Sequence, residues 1–152
     1  MKKGILIGTV AGMLTGAAVW MLKNRKIVVL EGKVQKFKKY YAMLNEWLSI
    51  RQEGSSLARI FAESGYKEIA IYGMGEMGQR LYEELKDTDI VVKYAVDQNA
   101  AFLYSELDLK KPEEDLEPVD AVIVTAVFDF DKIKGELAGR VNSPVVSLEE
   151  FI

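Results

Sequence analysis

The sequence predicts an α/β chain, a doubly wound parallel sheet of about five strands in the order 3-2-1-4-5, preceded by a transmembrane helix and an amphipathic helix. Three observations predict it. An uncharged run, Gly4 to Leu22, lies between basic residues. A glycine loop, Gly73-Met74-Gly75-Glu76-Met77-Gly78, separates a short apolar run from a stretch of helical period. Asp120 to Ala126 is almost wholly apolar, as a parallel strand buried on both faces must be. The organisation that follows is a transmembrane helix over 4–22, a basic juxtamembrane helix over 23–53 and a compact domain over 54–152.

Composition narrows the chemistry. The 152 residues contain no Cys and no His, which removes thiol nucleophiles, disulfides, imidazole bases and Cys- or His-ligated metals. Residues 1–53 carry ten Lys/Arg against three Asp/Glu, a balance of +7, and residues 54–152 carry ten against twenty, a balance of −10. An acidic globular half is a poor partner for nucleic acid.

The first segment is long enough to cross a bilayer. Its nineteen uncharged residues span about 28 Å as a helix, against a hydrocarbon core of roughly 30 Å. Trp20 sits where an interfacial anchor is favoured. In the competing reading, Gly16-Ala17-Ala18 is a signal-peptide cleavage site. The apolar run continues through Leu22 into Lys23, Arg25 and Lys26, which favours a retained single-pass anchor. The basic excess after the run places the body of the protein on the cytoplasmic side of the cell membrane. Gly4, Gly8, Gly12 and Gly16 recur every four residues and form one flat helix face, a route to a homo-oligomer.

From Glu31 to Gln52, Val34, Phe37, Tyr41, Leu44 and Leu48 repeat at helical spacing. Lys33, Lys36, Lys38 and Lys39 crowd the first half, which favours anionic headgroups there, while the Leu44-Trp47-Leu48 end is expected to pack on the following domain or on a partner. Ser55 or Ser56 caps a short helix through Ser64, with Leu57, Ile60 and Phe61 on its apolar edge and Gly65 ending it. That helix is expected to cover the sheet edge.

Lys67 to Tyr72 reads as a strand running into the glycine loop. Leu81, Tyr82 and Leu85 then mark a helix, with Glu83, Glu84 and Lys86 on its wet side, and Ile90 to Val96 is a second strand ending at Asp97. A strand, glycine loop, helix and strand followed by an acid is the Rossmann-like arrangement for a dinucleotide. Gly73 allows the tight turn, Gly75 lets backbone approach a pyrophosphate, and Gly78 lets helix and strand pack closely. Met74, Glu76 and Met77 complete the loop, whose helix N-terminus favours anionic phosphates. Asp97 would accept hydrogen bonds from ribose hydroxyls, favouring NAD over NADP. The competing reading is a glycine turn that only shapes the fold, with Asp97 capping the turn at Gln98-Asn99.

Downstream, Phe102 to Leu109 holds a weak helix or a short third strand, and Lys110 to Pro118 is an acidic loop. Asp129 or Asp131 is expected to cap a helix carrying Ile133 and Leu137, Pro144 to Ser147 is the last strand, and Ser147 to Glu150 has capping-box spacing. A ligand is expected at the carboxyl ends of the strands, near Gly75, Asp97 and Thr125.

The run Ile71 to Gly78, with Tyr94-Ala95-Val96-Asp97 and the Val122–Asp131 stretch, resembles the NAD(P)-binding, nucleoside-diphosphate-sugar epimerase-like modules of bacterial polysaccharide biosynthesis proteins, which occur behind membrane segments. The likeness covers roughly residues 55–152. It implies a nucleotide or nucleotide-sugar as ligand and a polysaccharide-biosynthesis enzyme as partner. The chain departs from the enzymes of that group. Their downstream Tyr-x-x-x-Lys pair is matched only by Tyr82 and Lys86, inside the first helix, and about fifty-five residues follow Asp97, enough to finish the sheet without a substrate domain. Catalysis by this chain alone is therefore not expected. A membrane-anchored binding module with an accessory or regulatory role is the leading expectation. A partner-completed oxidoreductase or epimerase, an S-adenosylmethionine-dependent enzyme and a non-binding membrane scaffold are the alternatives.

Overall fold

A computed structural model describes residues 2–102 and 106–152; for 2–19, 21, 22 and 24 it describes the helical backbone. The chain divides into two units, one ending at Ala42 and one spanning Met43–Ile152. A single helix, α1 (Lys2–Gln52), takes up the residues expected to form two separate helices. Among the described residues no helix is long and apolar enough to cross a membrane. The transmembrane expectation over 4–22 and the Gly4-Gly8-Gly12-Gly16 face fall on side chains outside the described set.

In the second unit the expected boundary at residue 54 moves upstream, because Met43 and Trp47 at the end of α1 are buried. Of the Leu44-Trp47-Leu48 end, expected to pack on the following domain or on a partner, Trp47 alone packs on the domain. Leu44 and Leu48 are exposed, while Trp47 is 6% exposed and its indole Nε1 donates to Glu84 Oε2 at 2.5 Å. The packed face is the one holding Met43 and Trp47, four residues apart and so one turn above each other. Glu84, expected on the wet side, is drawn inward to accept this bond and another from the Leu57 N–H at 2.8 Å.

Helix α2 (Leu57–Glu63) begins at Ser56, whose side chain accepts from the Arg59 N–H, and the chain turns at Gly65 with φ +83°. Leu57 and Phe61 are fully buried; α2 packs on the helix that follows the glycine loop, and Phe61 meets Phe151, just past the last strand, edge-on at 4.9 Å. The strands are β1 (Glu68–Tyr72), β2 (Val91–Val96), β3 (Leu109–Lys110), β4 (Ala121–Val124) and β5 (Val145–Ser147). They form one parallel sheet in the order β3-β2-β1-β4-β5, as the sequence predicts. Asp120 Oδ2 accepts the N–H groups of Lys67 and Glu68, both at 2.8 Å, and so ties the starts of β4 and β1.

Helix α3 (Glu76–Leu85) packs on β1 and β2, and α4 (Phe130–Leu137) lies against the opposite face. Ala70, Tyr72, Tyr94, Val96, Val122 and Val124 form a core with Ile133 and Leu137 of α4. Their alternates Ile69, Ile71, Ala95 and Ile123 are just as buried, which puts them on the α3 face. The sheet is therefore covered on both sides, and its core strands are apolar without alternation. The third strand is shorter and later than expected, and a 3₁₀ turn at Ala100–Phe102 precedes it. Asp129 stands at the start of α4 but makes no cap bond, because its own N–H closes a 3₁₀ turn onto the Ala126 carbonyl. The capping box of Ser147 and Glu150 is present.

Candidate functional site

The strand order reverses between β1 and β4, and the loops leaving these strands diverge there to open a crevice at their carboxyl ends. Of the residues expected to bind, Gly73 and Asp97 line it, while Met74, Gly75, Glu76, Met77, Gly78 and Thr125 do not. Gly73 has φ +97°, a left-handed conformation that places its N–H 2.8 Å from the Val96 carbonyl and its own carbonyl toward Thr125. Thr125 Oγ1 donates to that carbonyl at 2.5 Å and lies 3.3 Å from the Tyr72 carbonyl. Thr125 is buried, so its hydroxyl acts as a tie between β4 and the loop.

The three glycines differ in what they permit. A Cβ on Gly78 would lie 2.0 Å from the Gly73 carbonyl oxygen, so this position allows helix and loop to touch. At Gly75, the N-cap of α3, nothing lies within 4 Å of such a Cβ, and no side chain caps the helix. The first turn of α3 thus presents its N–H groups to open space at the positive end of the helix dipole. Met74 and Met77 bury their side chains and Glu76 is exposed, so the loop offers backbone rather than side chains.

Asp97 is brought beside this loop, as the sequence predicts, and there it is partly engaged. Its Oδ2 accepts the Met74 N–H at 2.8 Å and its Oδ1 accepts the Asn99 N–H at 2.8 Å. The first bond braces the glycine loop from β2, and the second makes the turn that the sequence also foresaw. Each carboxylate oxygen has a second lone pair, so both remain able to accept a further donor.

The crevice encloses about 270 Å³ and is lined by Tyr72 and Gly73, by Asp97, Gln98 and Asn99, and by Ala126, Asp129, Lys132 and Ile133. That is just below the roughly 300 to 1,000 Å³ of a drug-sized pocket. Tyr72, Gln98, Asn99 and Lys132 escaped the sequence reading. Tyr72 is 3% exposed, and its hydroxyl has no hydrogen-bond partner among the described residues. Burial, reinforced by the carboxylates of Glu136, Asp97 and Glu113, pushes that hydroxyl above its ordinary pKa, with Arg140 opposing, so it stays a neutral donor. Its signal in the sequence is a phenol at the last position of the strand that enters the loop. Tyr82 and Lys86 line no part of the crevice; the Tyr82 hydroxyl lies 3.5 Å from Glu106 Oε2 and Lys86 pairs with Glu83 at 2.8 Å.

Among the described residues no cluster of three or more carboxylates has the arrangement of a metal site. Comparison with protein-family models, with the curated proteins and with the solved structures finds no match for this chain.

Proposed function

We propose that the second unit is a nucleotide-binding module for NAD or a nucleotide-sugar. In this reading the upstream helix holds it at the cytoplasmic face of the cell membrane, and it serves an accessory or regulatory role in cell-surface polysaccharide biosynthesis. The observation that carries the ligand reading is the open, uncapped start of α3 at Gly75, beside a crevice lined by a buried tyrosine with a partnerless hydroxyl. Phosphates are favoured at such a helix start. The ribose falls to Asp97, whose spare lone pairs accept its hydroxyls, and the acidic surroundings of Asp97 and Asp129 disfavour the 2′-phosphate of NADP. The membrane reading rests on the uncharged run 4–22 and its basic flank, and the pathway on the resemblance of the glycine loop.

Thermal melting of the full chain with a panel of NAD, NADP, S-adenosylmethionine and uridine- and thymidine-diphosphate sugars tests this reading. A ligand present at a hundred times its Kd stabilises by about 2.7 kcal/mol, a rise of several degrees for a domain of this size. A Cβ at Gly75 meets nothing within 4 Å, so Gly75→Val should abolish the rise and lower the unliganded melting temperature by no more than the poorer N-cap costs. Stabilisation by S-adenosylmethionine in preference to the others would move the module to the enzyme class. No rise with any member of the panel would overturn the nucleotide reading.

A second reading is favoured by one observation. Asp97 and Thr125 brace the glycine loop from both sides without a ligand, as a scaffold with a purely structural loop would require. That reading predicts the flat response just described.

A further inference from the structure

The exposed apolar residues of α1 have a spacing that the nucleotide module does not use. Ile27, Val34, Tyr41 and Leu48 recur every seven residues, and Leu30, Phe37 and Leu44 fall three residues after the first three of them; all seven are exposed. Written as a heptad, the first set occupies every a position and the second every d position from 27 to 48. The spacing as far as Tyr41 lies in the first unit, and Leu44 and Leu48 continue it along the same helix.

We propose that α1 forms a parallel two-stranded coiled coil with a second copy of this chain along residues 27–48. A strict alternation of three and four has a mean period of 3.5, which drifts about 20° per heptad from a straight helix and keeps one seam together only when two helices supercoil. A helix lying on lipid needs a broader face at period 3.6. After the first heptad the outward positions are the polar or small Gln35, Lys36, Lys39, Ala42 and Glu46, apart from Met43, which is buried; Val28 and Val29 widen the face at its start.

The flanking charges balance in the parallel register. In the parallel register Lys26 at g faces Glu31 at e of the other copy, an attractive pair. One heptad later Lys33 faces Lys38, a repulsive pair that keeps the association moderate. Fourteen large side chains from two copies, between 45% and 73% exposed, cover on the order of 1,000 Å², the lower threshold for a specific interface. This inference stands apart from the nucleotide reading, since it uses none of the loop or crevice residues.

The chain has no cysteine, so single substitutions in the full chain, in detergent micelles, report neighbours by disulfide formation. Val34→Cys and Leu44→Cys should each cross-link to themselves at least ten times more efficiently than Gln35→Cys and Gly32→Cys, which point outward from the seam. Phe37→Glu added to Leu44→Cys should abolish that cross-link and leave the melting temperature of the second unit unchanged. Lys38→Glu should raise the yield at residue 34, because it turns the repulsive pair into an attractive one. Equal yields at all four positions, no cross-link at any, as for a helix lying on lipid, or a Leu44→Cys cross-link that survives Phe37→Glu would each overturn the proposal. A cross-link formed only between Val34→Cys and Leu44→Cys chains would show an antiparallel pair and overturn it as well.

Discussion

Gly78→Ala and Gly75→Ala add the same methyl group to the same loop and should have opposite consequences. At Gly78 the new Cβ would lie 2.0 Å from the Gly73 carbonyl oxygen and 3.0 Å from its carbonyl carbon. A carbon and an oxygen in contact sit at about 3.3 Å or more, so the start of α3 must retreat by more than an ångström. The obstacle is backbone and does not rotate away. The Gly73 carbonyl is held by Thr125 and the loop by Asp97, so retreat also costs those bonds. Overpacking of about 1–3 kcal/mol and the loss of one buried hydrogen bond at about 1–3 kcal/mol together give about 2–6 kcal/mol. At Gly75 the Cβ meets nothing and φ is −68°, so alanine should cost only the poorer helix N-cap, about 1 kcal/mol or less. The assay is urea unfolding followed by the fluorescence of Trp47, with Trp20→Phe as the background because Trp20 is exposed and Trp47 buried. A Gly78→Ala midpoint within error of the parent would refute the argument that this glycine exists to let helix and loop touch.

Three further outcomes follow from single contacts. Thr125→Val keeps the shape and removes the hydroxyl that donates to Gly73, leaving a buried carbonyl without a donor; unfolding in urea should show a loss of about 1–3 kcal/mol. Glu84→Ala strands two donors at once, the Trp47 indole and the Leu57 N–H, and should both destabilise by about 2 kcal/mol or more and shift Trp47 emission toward that of an exposed indole. Asp120 has its carboxyl held below the usual range by the N–H groups of Glu68 and Lys67, with slight desolvation opposing them. Because the folded value is the lower one, its contribution is present above the unfolded pKa of about 3.9 and disappears as pH falls through the folded value. The stability difference between the parent and Asp120→Asn should therefore be constant near neutral pH and vanish at the acid end of the titration.

The parts of the fold legible in the sequence were those encoded within a few residues. The strands show as short apolar runs, the glycine loop by its spacing, and the caps at Ser56 and Ser147 by hydroxyls two or three residues from the N–H groups they serve. The strand order followed from the glycine loop after the first strand and the apolar fourth strand, although the crossover from β3 to β4 carries no helix. What was not legible depends on which of two chemically similar faces meets a neighbour far away in sequence. Leu44 and Leu48 satisfy a helical period as well as Met43 and Trp47 do, and only the partner Glu84, 37 residues from Trp47, distinguishes them. The same holds at the site. The position of Asp97 beside the loop was foreseen, but its bond to the Met74 N–H depends on a backbone orientation set by Gly73.

That bond has a consequence for how the crevice would work. A loop left free would close around a ligand by losing backbone entropy at binding, roughly 1–2 kcal/mol for each residue ordered. Here Gly73, Met74 and the turn after β2 are already fixed by Thr125 and Asp97, so that cost falls on folding instead. The polar group left out of this network is the Tyr72 hydroxyl, whose burial without a partner costs about 1–3 kcal/mol. Tyr72→Phe removes the cost, so it should leave the unliganded chain at least as stable as the parent. A ligand whose polar end reached that hydroxyl would recover the same energy on binding. Two opposite effects of one substitution, steadier folding and weaker binding, are what a preformed site predicts, and a purely structural loop predicts only the first.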